Sequence, residues 1–127
     1  MNVVDSSGWL EYFAEGPNAE FFAAAIEAKR ELVVPVISIY EVFKRVLQQR
    51  SEDEALQAVA QMLQGRVIDL DTALALQAAK TSAELKMPMA DSIILTTARV
   101  HHATVWTQDE HFEGLADVRY VAKRNSV

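Results

Sequence analysis

The stretch Asn2-Val3-Val4-Asp5-Ser6-Ser7 constrains the fold more than any other in the chain. Apolar residues run straight into a carboxylate and then into two small hydroxyl residues. That order reads as a short buried strand ending in Asp5, with Ser6 or Ser7 capping the helix behind it. Alternating helix and strand signals follow. A strand that leads such an alternation typically lies inside a parallel sheet, and its carboxyl end opens into the crevice where these sheets bind ligands. Asp5 is therefore placed for chemistry, although a plain helix cap would also explain it.

The rest of the chain continues the alternation. Residues Gly8 to Phe13 extend a first helix, which Gly16-Pro17-Asn18 breaks. Asn18 or Pro17 opens a second helix to about Lys29, with Phe22, Ala25 and Ile26 on one stripe. Leu32-Val33-Val34 reads as a second strand before Pro35. Ser38 is expected to start a third helix, with Ile39, Val42, Phe43, Val46 and Leu47 as its apolar stripe. Ser51-Glu52-Asp53-Glu54 is a capping box, and the helix it opens should turn Leu56, Val59, Ala60 and Leu63 inward before Gly65. Arg66 to Leu70 gives a third strand, and Asp71-Thr72 caps an alanine-rich helix to Leu85. That helix is apolar on more than one side, which suits packing against a second subunit. Met87-Pro88-Met89-Ala90 reads as a turn, and Asp91 begins a helix to His101. Thr104 to Thr107 is a fourth strand, and Asp117 to Val121 a fifth at an edge. The expected fold is α/β: one domain over 1–127, with a doubly wound, mostly parallel four- to five-stranded sheet and helices on both faces.

Composition narrows the functional classes. No apolar run approaches the roughly twenty residues of a membrane span, and the N-terminus lacks the basic-then-apolar order of a secretory signal. The chain has no cysteine, which removes disulfides and thiolate metal sites and fits the cytoplasm. Its formal charge of −6 argues against nonspecific nucleic-acid binding and suits divalent cations or a basic partner.

Several acids then stand out. Asp5 and Asp109 each fall just past a strand's carboxyl end, and in a parallel sheet those ends share one edge. Asp91 continues the apolar stripe of Ile94, Leu95 and Ala98 at its helix's first turn. A charge on a core-facing stripe is costly unless paired or metal-bound, unless it bends out to water as a cap. Glu41 is less distinctive. Ser38-x-x-Glu41 is itself a capping box, and Glu41 falls on the polar side of its helix. Lys44 and Arg45 follow at i+3 and i+4, either as surface pairing or as a basic patch for phosphates. Converging carboxylates repel and raise one another's pKa, and a hard cation such as Mg²⁺ or Mn²⁺ resolves this. Such an ion can bind a phosphate oxygen and orient a water for attack on phosphorus. His101, His102 and His111 show no zinc spacing, and the adjacent pair reads as a solvated helix end.

With these residues assembled, the chain resembles a PIN-domain protein of the VapC toxin type. The matching pieces are Val3-Val4-Asp5-Ser6-Ser7, Ser38-Ile39-Tyr40-Glu41-Val42, Ala90-Asp91-Ser92-Ile93-Ile94 and Thr107-Gln108-Asp109-Glu110-His111-Phe112. They occur in order and cover nearly the whole chain. The resemblance implies a Mg²⁺- or Mn²⁺-dependent endoribonuclease. Asp5, Asp91 and Asp109 would hold metal directly or through water, and Glu41 would complete the quartet and handle the attacking water. Thr107 would position the acids, with Ser6 in support. It also implies a cognate antitoxin that blocks the acidic site, a homodimer within a larger complex, and DNA binding only through the antitoxin. Lys44, Arg45 and Arg50 would face RNA, with Arg99 a weaker candidate.

Two other classes compete. A phosphotransfer receiver or α/β phosphatase would also gather acids at strand ends, but Asp69 and Lys123 are poor stand-ins for a receiver's residues, and Ser6-Ser7 follow Asp5 where a phosphatase wants a second Asp. An inactive PIN-like binding module would typically have lost one of the acids.

Overall fold

In the computed structural model, which describes residues 1–125, Val3 and Val4 lie on opposite faces of the first strand and both are fully buried. Successive side chains on a strand alternate between faces, so each face needs its own apolar cover. Strand β1 (Asn2–Val4) is central, with β2 (Leu32–Pro35) on one side and β4 (Thr104–Thr107) on the other. Strands β3 (Arg66–Ile68) and β5 (Val118–Tyr120) form the edges, giving the order β3-β2-β1-β4-β5. Every pairing is parallel. The expected doubly wound α/β fold is found, with five strands and no antiparallel member among the described residues.

Alternation sorts the core into two halves. Val4, Val34 and Trp106 pack with Trp9, Phe22, Ile26, Val42 and Met62. Val3, Val33 and Val105 pack with Ile94, Leu95, Ala98 and Phe112. Helices α1 (Ser6–Phe13), α2 (Ala19–Ile26), α3 (Val36–Gln49) and α4 (Glu52–Met62) supply the first half. Helix α6 (Met89–Val100) supplies most of the second, with α5 (Thr72–Leu85) packed on it. Burying each large apolar side chain contributes roughly 1.5–3 kcal/mol, which is why so short a β1 holds its place.

The strand order reverses beside β1. The chain winds from β1 out to β2 and β3, then returns to β4 and β5. The carboxyl ends of β1 and β4 therefore flank the topological switch point, where such sheets leave a crevice.

Several helix boundaries differ from expectation. Asp5 itself is the cap of α1, accepting from Gly8 N, so neither Ser6 nor Ser7 plays that part. Helix α2 stops at Ile26, and a short 3-10 turn covers Lys29–Glu31. Helix α3 begins at Val36, directly after Pro35, so Ser38 lies inside its first turn and caps nothing. Proline fixes the extended backbone there and lets the helix start without a side-chain cap. Helix α6 likewise starts at Met89 behind Pro88, and Asp91 is in its first turn. In α4 the capping Ser51 is as expected, accepting from Glu54 N. Its buried face, however, is Ala55, Ala58 and Met62, while Leu56 and Leu63 are exposed. Close packing of α4 along α3 favours the small residues at the contact.

Candidate active site

Asp5 continues the β1–β4 pairing by one residue, its N–H donating to the Trp106 carbonyl at 3.1 Å. Its side chain then turns into the switch-point crevice and is almost wholly buried. Oδ1 accepts from Gly8 N at 2.9 Å, Oδ2 accepts from Thr107 Oγ1 at 2.8 Å, and the Ser7 hydroxyl sits 2.9 Å from both oxygens. Gly8 is required there, since a Cβ would fall 2.5 Å from Phe22 and 2.7 Å from Val4. Burial pushes the Asp5 carboxyl up to about 7, against the bonds from Thr107, Gly8 and Ser7, which favour its charged form. The nearby Asp109 charge pushes in the same direction as burial.

Thr107 ends β4 fully buried and ties two acids together. Its hydroxyl donates to Asp5, and the same oxygen accepts from Asp109 N at 2.9 Å. Asp109 caps a 3-10 turn at Glu110–Phe112, its Oδ1 accepting from His111 N at 2.9 Å. Phe112, fully buried among Ile94, Leu95 and Val105, anchors that turn. Between them, Gln108 is buried on the other side, accepting from Asn18 Nδ2 at 2.9 Å.

Asp91 comes from across the crevice. It is half-buried in the first turn of α6, as its place on the apolar stripe implied. Burial raises its pKa first, then the Asp109 charge; the His111 contact opposes both, and Glu41 adds a smaller repulsion. Glu41, half-buried on α3, accepts from Ser6 Oγ through Oε1 at 2.6 Å. Ser6 is thus the partner of Glu41, in place of the capping box with Ser38. Ser38 itself is fully buried, one turn before Glu41, and its hydroxyl has no hydrogen-bond partner among the described residues.

Sequence reasoning did not select His111, and the structure brings it to the acids. Its Nδ1 lies 2.9 Å from Asp91 Oδ2 and 3.2 Å from Asp109 Oδ1. The Asp109 charge, then the bond to Asp91, raises its pKa. Asp91, Asp109 and His111 each offer a ligand atom, all within 4.8 Å of one another. Two half-buried carboxylates and an imidazole, beside further acids that repel them, form a donor set that fits a small divalent cation. Asp5 and Glu41 lie outside that trio but within its electrostatic reach.

The basic candidates spread out from this centre. Lys44 and Arg45 are exposed, one turn beyond Glu41 on α3. Arg50 ends α3, lies 4.0 Å from Glu54 and lines a groove with Leu10 and Phe13. Arg99 is exposed in the last turn of α6; at 1.5 Å per residue it sits about 12 Å along the axis from Asp91.

Comparison with known proteins identifies the family and the fold. Residues 3–118 match the family model of the PIN domain, and the chain belongs to that family. No curated protein matches its sequence. Solved structures do share its fold. A toxin–antitoxin complex from Klebsiella pneumoniae aligns at 21% identity and a TM-score of 0.77, covering 94% of this chain and 96% of that one. VapC20 of Mycobacterium tuberculosis, a toxin that cleaves the sarcin–ricin loop, aligns at 18% identity and 0.76, covering 94% and 99%. DNA-bound VapBC from Salmonella typhimurium aligns at 16% identity and 0.72, covering 95% and 96%. Membership of the PIN family sets the receiver and phosphatase alternatives aside. Among the described residues, no helix is long and apolar enough to cross a membrane.

Proposed function

We propose that this PIN-domain protein is a VapC-type toxin, a Mg²⁺- or Mn²⁺-dependent endoribonuclease restrained by an antitoxin. The observation that carries the proposal is the meeting of Asp91 and Asp109, from separate elements, beside buried Asp5 and Glu41 at the switch-point crevice. So much negative charge repels a phosphodiester until a cation offsets it. Asp91 and Asp109 would hold that cation, with Asp5 reaching it directly or through water. When bound, the ion supplies Lewis-acid polarisation of a phosphate oxygen and lowers the pKa of an attacking water.

The chain's own residues do the remaining work. Ser6 fixes Glu41 Oε1, which orients the carboxylate to accept a proton from the attacking water. Thr107 holds Asp5 and the Asp109 backbone in fixed relation. Lys44 and Arg45, exposed on the same helix as Glu41, would meet RNA phosphates; Arg50 and Arg99 would contact only a longer stretch of RNA. The acidic balance of the chain leaves DNA binding to the antitoxin, as in the division of labour of a toxin–antitoxin pair. Exposed Tyr40 and Leu47 on α3, Leu56 on α4, Leu63 just past its end, and Leu76 and Leu85 on α5 would offer apolar surface to an antitoxin and to a second copy in a homodimer. Such a protein would act in the cytoplasm.

The test is direct. The purified full chain should cleave RNA in Mg²⁺ or Mn²⁺, stop in chelator, and lose cleavage in Asp5→Asn with its fold intact. Cleavage that persists undiminished in chelator would remove the proposal.

A further inference from the structure

The contact between His111 and the two carboxylates has the dimensions of a coordination edge. A cation of this class has octahedral bonds of about 2.1 Å, so neighbouring ligands stand about 3 Å apart. The His111 Nδ1 separations from Asp91 Oδ2 and Asp109 Oδ1 are 2.9 and 3.2 Å. The ring nitrogen is thus within the edge length of a shared coordination shell from both carboxylate oxygens. Its backbone is held too. The His111 N–H donates to Asp109 Oδ1, and the adjacent Phe112 is fully buried. The imidazole is itself more than half exposed, which leaves the solvent side of the trio open to water and to phosphate.

We propose that His111 is a direct ligand, through Nδ1, of the cation held by Asp91 and Asp109, and that this nitrogen biases the site toward Mn²⁺ over Mg²⁺. Imidazole suits transition metals, whereas Mg²⁺ prefers oxygen donors and gives up water reluctantly. An all-carboxylate site lacks that bias. The inference rests on reading Asp91 and Asp109 as cation ligands, and it goes beyond that reading by adding a nitrogen and a metal preference. The competing account is a surface ion pair, in which His111 neutralises the acids and never touches the metal.

Pulsed electron paramagnetic resonance of Mn²⁺ bound to the full chain separates the two. Direct ligation gives ¹⁴N modulation from imidazole, which changes to the ¹⁵N pattern when the unaltered chain is grown with ¹⁵N-histidine. It disappears in His111→Ala, a variant that keeps the backbone N–H accepted by Asp109. Calorimetry should show the Mn²⁺-over-Mg²⁺ affinity ratio falling about tenfold in that variant. Stoichiometric Mn²⁺ with no nitrogen modulation overturns the role of His111 and leaves the carboxylate site standing. Failure of the full chain to bind Mn²⁺ at all overturns both.

Discussion

The Thr107 hydroxyl donates to Asp5 Oδ2 across 2.8 Å, pinning the carboxyl end of β4 to that of β1. Its oxygen also receives the Asp109 N–H, so one buried side chain fixes two acids. Thr107→Val removes both bonds and leaves buried polar groups unpaired, at about 1–3 kcal/mol of stability. Thr107→Ser keeps them. Urea unfolding and single-turnover RNA cleavage should show the Val variant impaired in both, cleavage by at least about tenfold, and the Ser variant close to wild type. Equal behaviour of the two variants would remove the hydroxyl from the account.

Asp5 gives a pH signature in chelator. Its folded-state pKa is pushed up to about 7 by burial, from 3.8. Folding therefore takes up a proton between those values. The contribution to stability is full below the unfolded pKa and is lost as pH rises through the folded one. The melting temperature should fall between about pH 4.5 and pH 7.5, by roughly 5 °C or more. Asp5→Asn cannot ionise and should flatten most of that fall; Asp91, raised in the same direction, accounts for a residual slope. An identical slope in the variant would assign it elsewhere.

Ser6 and Glu41 should act as one unit. Ser6→Ala frees Glu41 Oε1 from its 2.6 Å bond, and Glu41→Gln removes the charge itself. We expect Ser6→Ala to slow cleavage several-fold and to add almost nothing on top of Glu41→Gln. Fully additive effects in the double mutant would mean that Ser6 does not work through Glu41.

The rotation of α4 has its own test. Leu56→Glu, on the exposed face, should change stability by no more than about 0.5 kcal/mol. Met62→Ala, on the buried face, should cost about 2–5 kcal/mol. Chemical denaturation reads both, and the opposite ranking would restore the leucine face as the inner one.

That helix shows where sequence patterning loses information. Counting large apolar residues favours Leu56 and Leu63, yet the buried face of α4 is Ala55, Ala58 and Met62, and small residues there suit its close packing along α3. Glu41 was similarly opaque. Of the stripe that periodicity finds on its helix, Val42 is buried, Ile39, Phe43 and Val46 are partly buried and Leu47 is exposed; a second side faces α1, and only the fold reveals that Ser6 is there. Asp5 and Asp109 were legible because strand ends of a parallel sheet share an edge, and Asp91 because a charge interrupted an apolar stripe. His111 is not legible from histidine spacing, which fits no zinc site; the turn that Asp109 begins is what brings it to the acids. The available signal was local: a histidine two residues past a strand-end aspartate, followed by a core phenylalanine.

The central claim is that acids from distant parts of the chain share one cation and use it to cut RNA. Cleavage of RNA by Asp91→Asn in Mg²⁺, beside wild type and with the fold checked by circular dichroism, tests it most directly. The account predicts a folded variant whose cleavage rate is lower by at least about a thousandfold. A folded Asp91→Asn variant that cuts at the wild-type rate would contradict it.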